Sequence, residues 1–193
     1  MRIGILVLAY NAERTLTAVL DRVPLDVWRS VVEILVLDDH SSDRTVRVAE
    51  HYREAHLDRP VSVRSQPRNL GYGGNQKSGY RYGADQGWDV VVMLHADGQY
   101  APEALGAMVA PLLSGEADAV FGSRMTTVAA ARRGGMPLYK VAGNRLLTAV
   151  QNRLSGLALS EWHSGYRAYR VDALTDLPLE ANSDGFAFDT ESI

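Results

Sequence analysis

The stretch DVVVMLHADGQY, residues 89–100, is an apolar run that ends abruptly on His95, Asp97 and Gln99. Val90 to Leu94 reads as a buried strand. Alternate residues of a strand point the same way, so His95, Asp97 and Gln99 share one face if the extended state persists. A strand end that simply meets water is one explanation of the pattern; a site for a metal or a phosphate is the other.

The arrangement recurs outward from this stretch. Ile3 to Ala9 is a continuous branched apolar run and reads as a first buried strand. Val31 to Leu37 is a second strand, Val61 to Arg64 a third and Ala119 to Gly122 a fifth. Helical patterns lie between them. Leu16 to Val27 carries Leu16, Val19, Leu20 and Val23 three and four apart, and Ser42 stands where it could cap the next helix. Gly71 to Gly83 reads as helix despite its glycines, and Pro102 suits the first turn of a helix running to about Leu113.

Strands and helices alternating at this spacing predict parallel βαβ units in a doubly wound α/β sheet. Such sheets bind ligands at the carboxyl ends of their strands. Five polar clusters fall there: Tyr10–Asn11, Asp38–Asp39, Arg68–Asn69, His95–Asp97–Gln99 and Ser123–Arg124. Five strands releasing polar residues at one edge is more than ordinary turn chemistry.

After Arg124 the pattern changes. Residues 125–136 read as a loop, and Pro137 opens a helix to about Leu154. Trp162 to Tyr169, with the motif HSGYRAYR, reads as a short strand, and DGFAFD as another. Residues 125–193 extend one domain, 1–193, and do not form a second.

With 193 residues and 46% hydrophobic content the chain can bury a sizeable core. Its formal net charge of -3, without a long basic block, argues against a nucleic-acid partner. The absence of cysteine removes disulfides, thiolate metal sites and cysteine nucleophiles, and fits a reducing cytoplasm. No window reaches the roughly 18 apolar residues of a membrane span. The chain stops directly after FDTESI, which leads to the expectation of a C-terminal truncation relative to a longer protein.

Neither the dinucleotide-binding glycine loop nor a Walker phosphate loop follows the first strand, where the sequence is AYNAERT. The glycines of NLGYGGNQKSGY can serve a tight turn and close helix packing as well as a ligand. Asp38 and Asp39 are adjacent and cannot both enter one pocket without a bend. One is expected to accept hydrogen bonds from a base or ribose, the other to cap the Ser41–Ser42 turn.

VLAYNAERTL, ILVLDDHSSDRT, RNLGYGGN, HADGQY, GSR, HSGYRAYR and GFAFDTE occur in the order found in family 2 glycosyltransferases of the GT-A fold. Nearly the whole chain resembles that family, and most of all its polyprenyl-phosphate sugar transferases. The resemblance implies an enzyme that binds a UDP-sugar or GDP-sugar and inverts the anomeric centre. It implies that residues 1–124 form the nucleotide-sugar half and 125–193 the acceptor-side half. Tyr10, Asn11 and Glu13 would flank the base and Asp38 would contact base or ribose. Asn69, Gly71, His95, Ala96 and Gln99 would complete the donor site. Asp97 matches the second acid of the metal-binding Asp-x-Asp motif, with Gln99 a nearby metal or phosphate contact. Arg124 would face the diphosphate or the acceptor.

Two departures stand out. His95 occupies the position of the first acid. Magnesium prefers oxygen ligands, and imidazole suits manganese better. His95 could join a softer ion, Asp97 and the diphosphate could hold the ion with water, or His95 could pair with phosphate. Ala12 also intervenes between Asn11 and Glu13, which displaces Glu13 by one residue.

A departing diphosphate gains negative charge, so Mg2+ or Mn2+ and an arginine are expected to stabilise it. Arg124 is the first candidate cation, with Lys140, Arg145 and Arg167 behind it. Arg167 and Arg170 would face opposite sides of a strand, and the resemblance, through the arginine that lipid-phosphate-type members carry after Ser-Gly-aromatic, implies that Arg167 is the one that reaches the pocket. A lipid-phosphate acceptor is already anionic and needs no strong base. A hydroxyl acceptor needs a carboxylate, for which Asp189 and Glu191 are the candidates, with Glu161 behind them. The helix from Pro137 groups Leu138, Val141, Ala142, Leu146, Ala149 and Val150 on one face. That face either packs on the sheet or lies at the cytoplasmic face of a membrane carrying the acceptor. A transferase with a glycan or small hydroxyl acceptor, and a nucleotide-sugar binder without catalysis, are the rival readings.

Overall fold

The computed structural model describes residues 1–123 and 138–193; for residues 138–141 and 175 it describes the backbone alone. The chain alternates strand and helix through its first half. In order come β1 (Ile3–Ala9), α1 (Leu16–Asp21), α2 (Leu25–Ser30), β2 (Val31–Asp38), α3 (Thr45–Ala55), β3 (Val61–Ser65), α4 (Tyr72–Asp85) and β4 (Val90–His95). A 3-10 turn at Pro102–Ala104, α5 (Leu105–Leu113) and β5 (Ala119–Phe121) follow. The remainder holds α6 (Leu138–Ser155), β6 (Arg167–Arg170), α7 (Val171–Thr175), a 3-10 turn at Leu179–Ala181 and α8 (Phe188–Glu191).

The strands form one six-stranded sheet in the order β3-β2-β1-β4-β6-β5. β1, β2, β3 and β4 pair in parallel, as the alternating pattern predicts, while β6 runs antiparallel between β4 and β5. All seven residues of β1 are buried, which is why its sequence shows no polar alternation. The side chains still alternate. Ile3, Ile5, Val7 and Ala9 join a core with α1, α2, α3 and α5, and Leu6 and Leu8 join a second core on the face covered by α4, α7 and α8.

Three sequence expectations give way to tertiary detail. The helix expected over Leu16 to Val27 is split into α1 and α2 at Pro24, whose backbone is extended (ψ 148°); proline has no N–H to continue a helix. The carboxylate at the head of α3 belongs to Asp43, whose Oδ1 accepts the Thr45 N–H at 2.9 Å. Ser42 is instead tied to Asn11. DGFAFD is not a strand: a turn around Gly185 leads into α8, so Phe188 is fully buried while Phe186 is 84% exposed.

Trp88 explains two glycines. A β-carbon at Gly4 would overlap the Trp88 indole, and one at Gly83 would come within 2.8 Å of it. Both residues flank a packed ring with little room to move, so Gly4→Ala should destabilise the fold by about 1–3 kcal/mol. Urea denaturation would show this as a lower midpoint with an unchanged slope; an unchanged midpoint would mean that the ring moves aside freely.

Candidate functional site

Strand register builds the edge where the site lies. Leu8 pairs with His95, Ala9 with Asp38, and Asp38 with Ser65. The chains leaving β1, β2 and β4 therefore emerge side by side. A cavity of about 490 Å³ opens there, at the carboxyl end of the sheet.

Tyr10, Asn69, Gly71, His95, Ala96, Asp97, Gln99 and Asp189 all line this cavity, as does Asp39. The sequence thus names much of the wall, but the mechanism of convergence differs from the one expected. β4 ends at His95 and the chain turns at once, with Gly98 at φ 78° and Asp97 Oδ1 accepting the Gln99 N–H at 2.9 Å. His95, Asp97 and Gln99 meet at the cavity through a tight turn and not through strand pleating.

Asn11, Glu13 and Asp38 do not line the cavity. Asn11, in the left-handed region at φ 49°, accepts from Ser42 N–H at 3.0 Å and from its hydroxyl at 3.2 Å. Glu13 Oε2 accepts from Arg44 N–H and Nε, each at 3.1 Å, and these bonds hold its carboxyl below the usual range. The two side chains stitch the loop after β1 to the loop after β2. Asp38 is buried and its carboxylate accepts from Ser41 and Ser65 hydroxyls and from Ser41 N–H. Asp38 caps the turn, and Asp39 is the acid that reaches the cavity. Burial pushes the Asp39 carboxyl up, against the Leu70 and Gly71 N–H groups that favour its charged form.

Arg167 does not take the place expected of it either. It is fully buried and does not line the cavity. Its guanidinium donates to the carbonyls of Ser164, Trp162 and Asp189 and to the hydroxyls of Tyr169 and Ser192. It is a clamp for the segment bearing Asp189. Arg170 faces the other way, toward Asp172 and Asp118. Glu191 lies off the cavity, accepting Ser183 N–H at 2.6 Å, and the buried Glu161 accepts from Asn144 and Ser123. Arg124 and the Lys140 side chain lie outside the described residues.

Tyr72, Asn75, Tyr100, His163, Gly165 and Phe186 line the cavity without having been singled out in the sequence. Docking of the segment before α8 on α4 brings Tyr72, Asn75 and Phe186 together there. Gly73 and Gly74 N–H donate to the Asp184 carbonyl at 2.7 and 3.2 Å, and Lys77 pairs with Asp184 at 2.7 Å, so the segment before α8 seats on the start of α4. The glycines of NLGYGG supply the space: a β-carbon at Gly73 would overlap the Ser183 carbonyl. The cavity wall therefore presents Asp39, Asp97 and Asp189, and among the described lining residues no lysine or arginine.

α6 turns its polar side inward. Asn152 bonds both Leu159 N–H and carbonyl and accepts Trp162 Nε1–H at 2.7 Å. Of the apolar face anticipated from the sequence, the Leu138 and Val141 side chains lie outside the described residues and the rest points outward: Ala142, Leu146, Ala149 and Val150 are exposed, together with Leu147 and Leu154. Among the described residues no helix is long and apolar enough to cross a membrane.

Residues 4–177 match the family described as Glycosyl transferase family 2. An undecaprenyl-phosphate mannosyltransferase of Micrococcus luteus is 32% identical over 196 residues, covering 99% of this chain and 76% of the relative. A polyprenol monophosphomannose synthase of Mycolicibacterium smegmatis is 30% identical over 185 residues, 95% of this chain and 68% of the relative. Among solved structures, glucosyl-3-phosphoglycerate synthase of Mycobacterium tuberculosis, in complex with Mn2+, UDP-glucose and phosphoglyceric acid, superposes with a TM-score of 0.68 at 25% identity. That match covers 98% of this chain, and the chain spans 62% of the solved one.

Proposed function

This chain belongs to glycosyl transferase family 2, and we propose that it moves a sugar from a UDP- or GDP-sugar to a polyprenyl phosphate with inversion at the anomeric carbon. An acceptor phosphate oxygen attacks that carbon as its bond to the nucleoside diphosphate breaks. The relatives named for undecaprenyl phosphate and polyprenol support the acceptor class.

The observation that carries this reading is the state of Asp189. Of the three acids weighed as a base, it is the one that lines the cavity. Both of its oxygens already accept hydrogen bonds, from Tyr72 at 2.9 Å and Gln76 at 3.1 Å, and Arg167 stands 3.6 Å away. Both oxygens are thus engaged by the protein itself, which suits a phosphate nucleophile that arrives without a proton to lose. A hydroxyl acceptor remains the second reading, because Asp189 does face the cavity.

A divalent cation follows from charge. Three carboxylates line the cavity, and a diphosphate entering it meets no lysine or arginine among the described lining residues. Among the described residues no group of three histidines or acids is spaced to hold an ion. Asp97 would therefore hold Mg2+ or Mn2+ together with diphosphate oxygens, with Gln99 alongside; the ion would stabilise the charge of the leaving diphosphate. Tyr10 would flank the base, Asp39 would take the base or ribose contact in place of Asp38, and Asn69 and Gly71 would close the donor end. Arg124 stays a candidate for the diphosphate or the acceptor. The exposed apolar side of α6 would rest on the membrane that carries the acceptor.

Calorimetric titration with UDP and GDP, each with magnesium, manganese or a chelator, tests the donor assignment. One nucleotide should bind, and the chelator should weaken it strongly. Binding of neither under any condition would reject the assignment. Transfer from the matching sugar nucleotide to a short-chain polyprenyl phosphate, compared with a simple alcohol, then separates the two acceptor readings.

A further inference from the structure

We propose that His95 serves as a hydrogen-bond donor to Tyr72, not as a metal ligand through Nε2, and that Tyr72 is a positioning residue that links His95 to Asp189 across the cavity. This deepens the transferase reading above and rests on it for the reaction concerned.

The geometry assigns the hydrogens. Tyr72 Oη lies 2.9 Å from Asp189 Oδ2 and 3.2 Å from His95 Nε2. A phenol has one hydrogen to give, and a carboxylate can only accept. The Tyr72 hydrogen therefore goes to Asp189, and Tyr72 Oη accepts from His95. That bond requires a hydrogen on Nε2, and a protonated ring nitrogen has no lone pair for a cation. Burial, reinforced by the Asp189 charge, pushes the Tyr72 phenol far above its ordinary range, so it stays a donor.

Packing holds the pair in place. A β-carbon at Gly165 would overlap Tyr72 Oη and lie 2.6 Å from His95 Nε2, so the backbone of HSGYR closes directly over this bond. Gly165 is itself fixed by its N–H to Tyr100 Oη at 2.7 Å, and the Tyr100 ring stands edge-on to His95 at 5.0 Å. At the far end Gln76 holds the other Asp189 oxygen. The histidine that replaces the first acid of the metal motif thus belongs to a protein hydrogen-bond chain, and Asp97 alone remains as the carboxylate of that motif.

Nitrogen NMR of the ligand-free protein, with His95→Gln used to assign the signal, reads the first claim directly. A hydrogen on His95 Nε2 is expected; a bare Nε2 with hydrogen on Nδ1 would overturn the proposal. Because that reading needs no activity, a protein that shows the Nε2 hydrogen yet transfers no sugar would refute the transferase reading and keep this one. In the active protein, Tyr72→Phe retains the ring and its stacking on Phe186. It should lower kcat about 10- to 100-fold while metal-dependent nucleotide affinity shifts less than about threefold. His95→Gln offers an amide donor to Tyr72 and should recover about tenfold of the turnover lost in His95→Ala. Loss of metal-dependent nucleotide affinity in both His95 variants, to the extent seen for Asp97→Ala, would instead make His95 a ligand and overturn the proposal.

Discussion

Replacing Asp97 with alanine should lower sugar transfer by about 100- to 1,000-fold and leave nucleotide binding indifferent to added metal. The size of the effect follows from the wall of the cavity. Asp39, Asp97 and Asp189 line it, and their like charges repel a diphosphate. A cation held by Asp97 would reverse the local sign of charge. Asp97 sits on the exposed turn after β4, where its Oδ1 accepts a single backbone hydrogen bond within that turn. Its replacement should therefore cost the fold little, and urea denaturation would separate a site defect from unfolding. Parallel titrations of the wild type and the variant, with manganese and with a chelator, measure the change. A variant that keeps its metal-dependent affinity would transfer the role elsewhere and sink the assignment of Asp97.

The second large effect concerns stability. Arg167→Met should destabilise the protein by about 3–5 kcal/mol, the range for removing one partner of a buried charged group. Methionine fills comparable space but satisfies none of the groups that Arg167 serves. The carbonyls of Ser164, Trp162 and Asp189 and the hydroxyls of Tyr169 and Ser192 would lose a donor inside the core. The Asp189 carboxylate, 3.6 Å away and largely buried, would lose its neighbouring cation. Denaturant unfolding reads the loss as a lower midpoint. A midpoint close to that of the wild type would show that the guanidinium costs as much to bury as its bonds return. In that case its place in HSGYR would need a functional explanation after all.

Arg167 also marks the boundary between what residues alone disclose and what they do not. The motif HSGYRAYR singles out the arginine, and the strand alternation correctly separates Arg167 from Arg170. Nothing local says that the side opposite Arg170 is filled by Asp189, Tyr169 and Ser192. That packing depends on residues up to 25 positions away. Asp38 and Asp39 pose the same problem. Their adjacency leaves one to enter the cavity and one to cap the turn; Ser41 is near enough in sequence to bond Asp38, but Ser65 reaches Asp38 only because β3 pairs with β2, and the Leu70 N–H that holds Asp39 comes from 31 residues away.

The alternation of strands and helices, the carboxyl-edge position of the cavity and part of its wall were legible in the residues alone. Those features follow from short-range properties: apolar runs, helical spacing and polar residues at strand ends. Which of two neighbouring acids faces the cavity, and that Asn11 and Glu13 bind loops together, emerged only on folding. So did the outward turn of the apolar side of α6, and the joining of His95 to Asp189 by Tyr72 over a separation of 117 residues between tyrosine and aspartate. The physical reason is common to all of these. A side chain's hydrogen-bond partner is set by what the folded chain carries into reach, and neither its residue type nor its immediate neighbours record that.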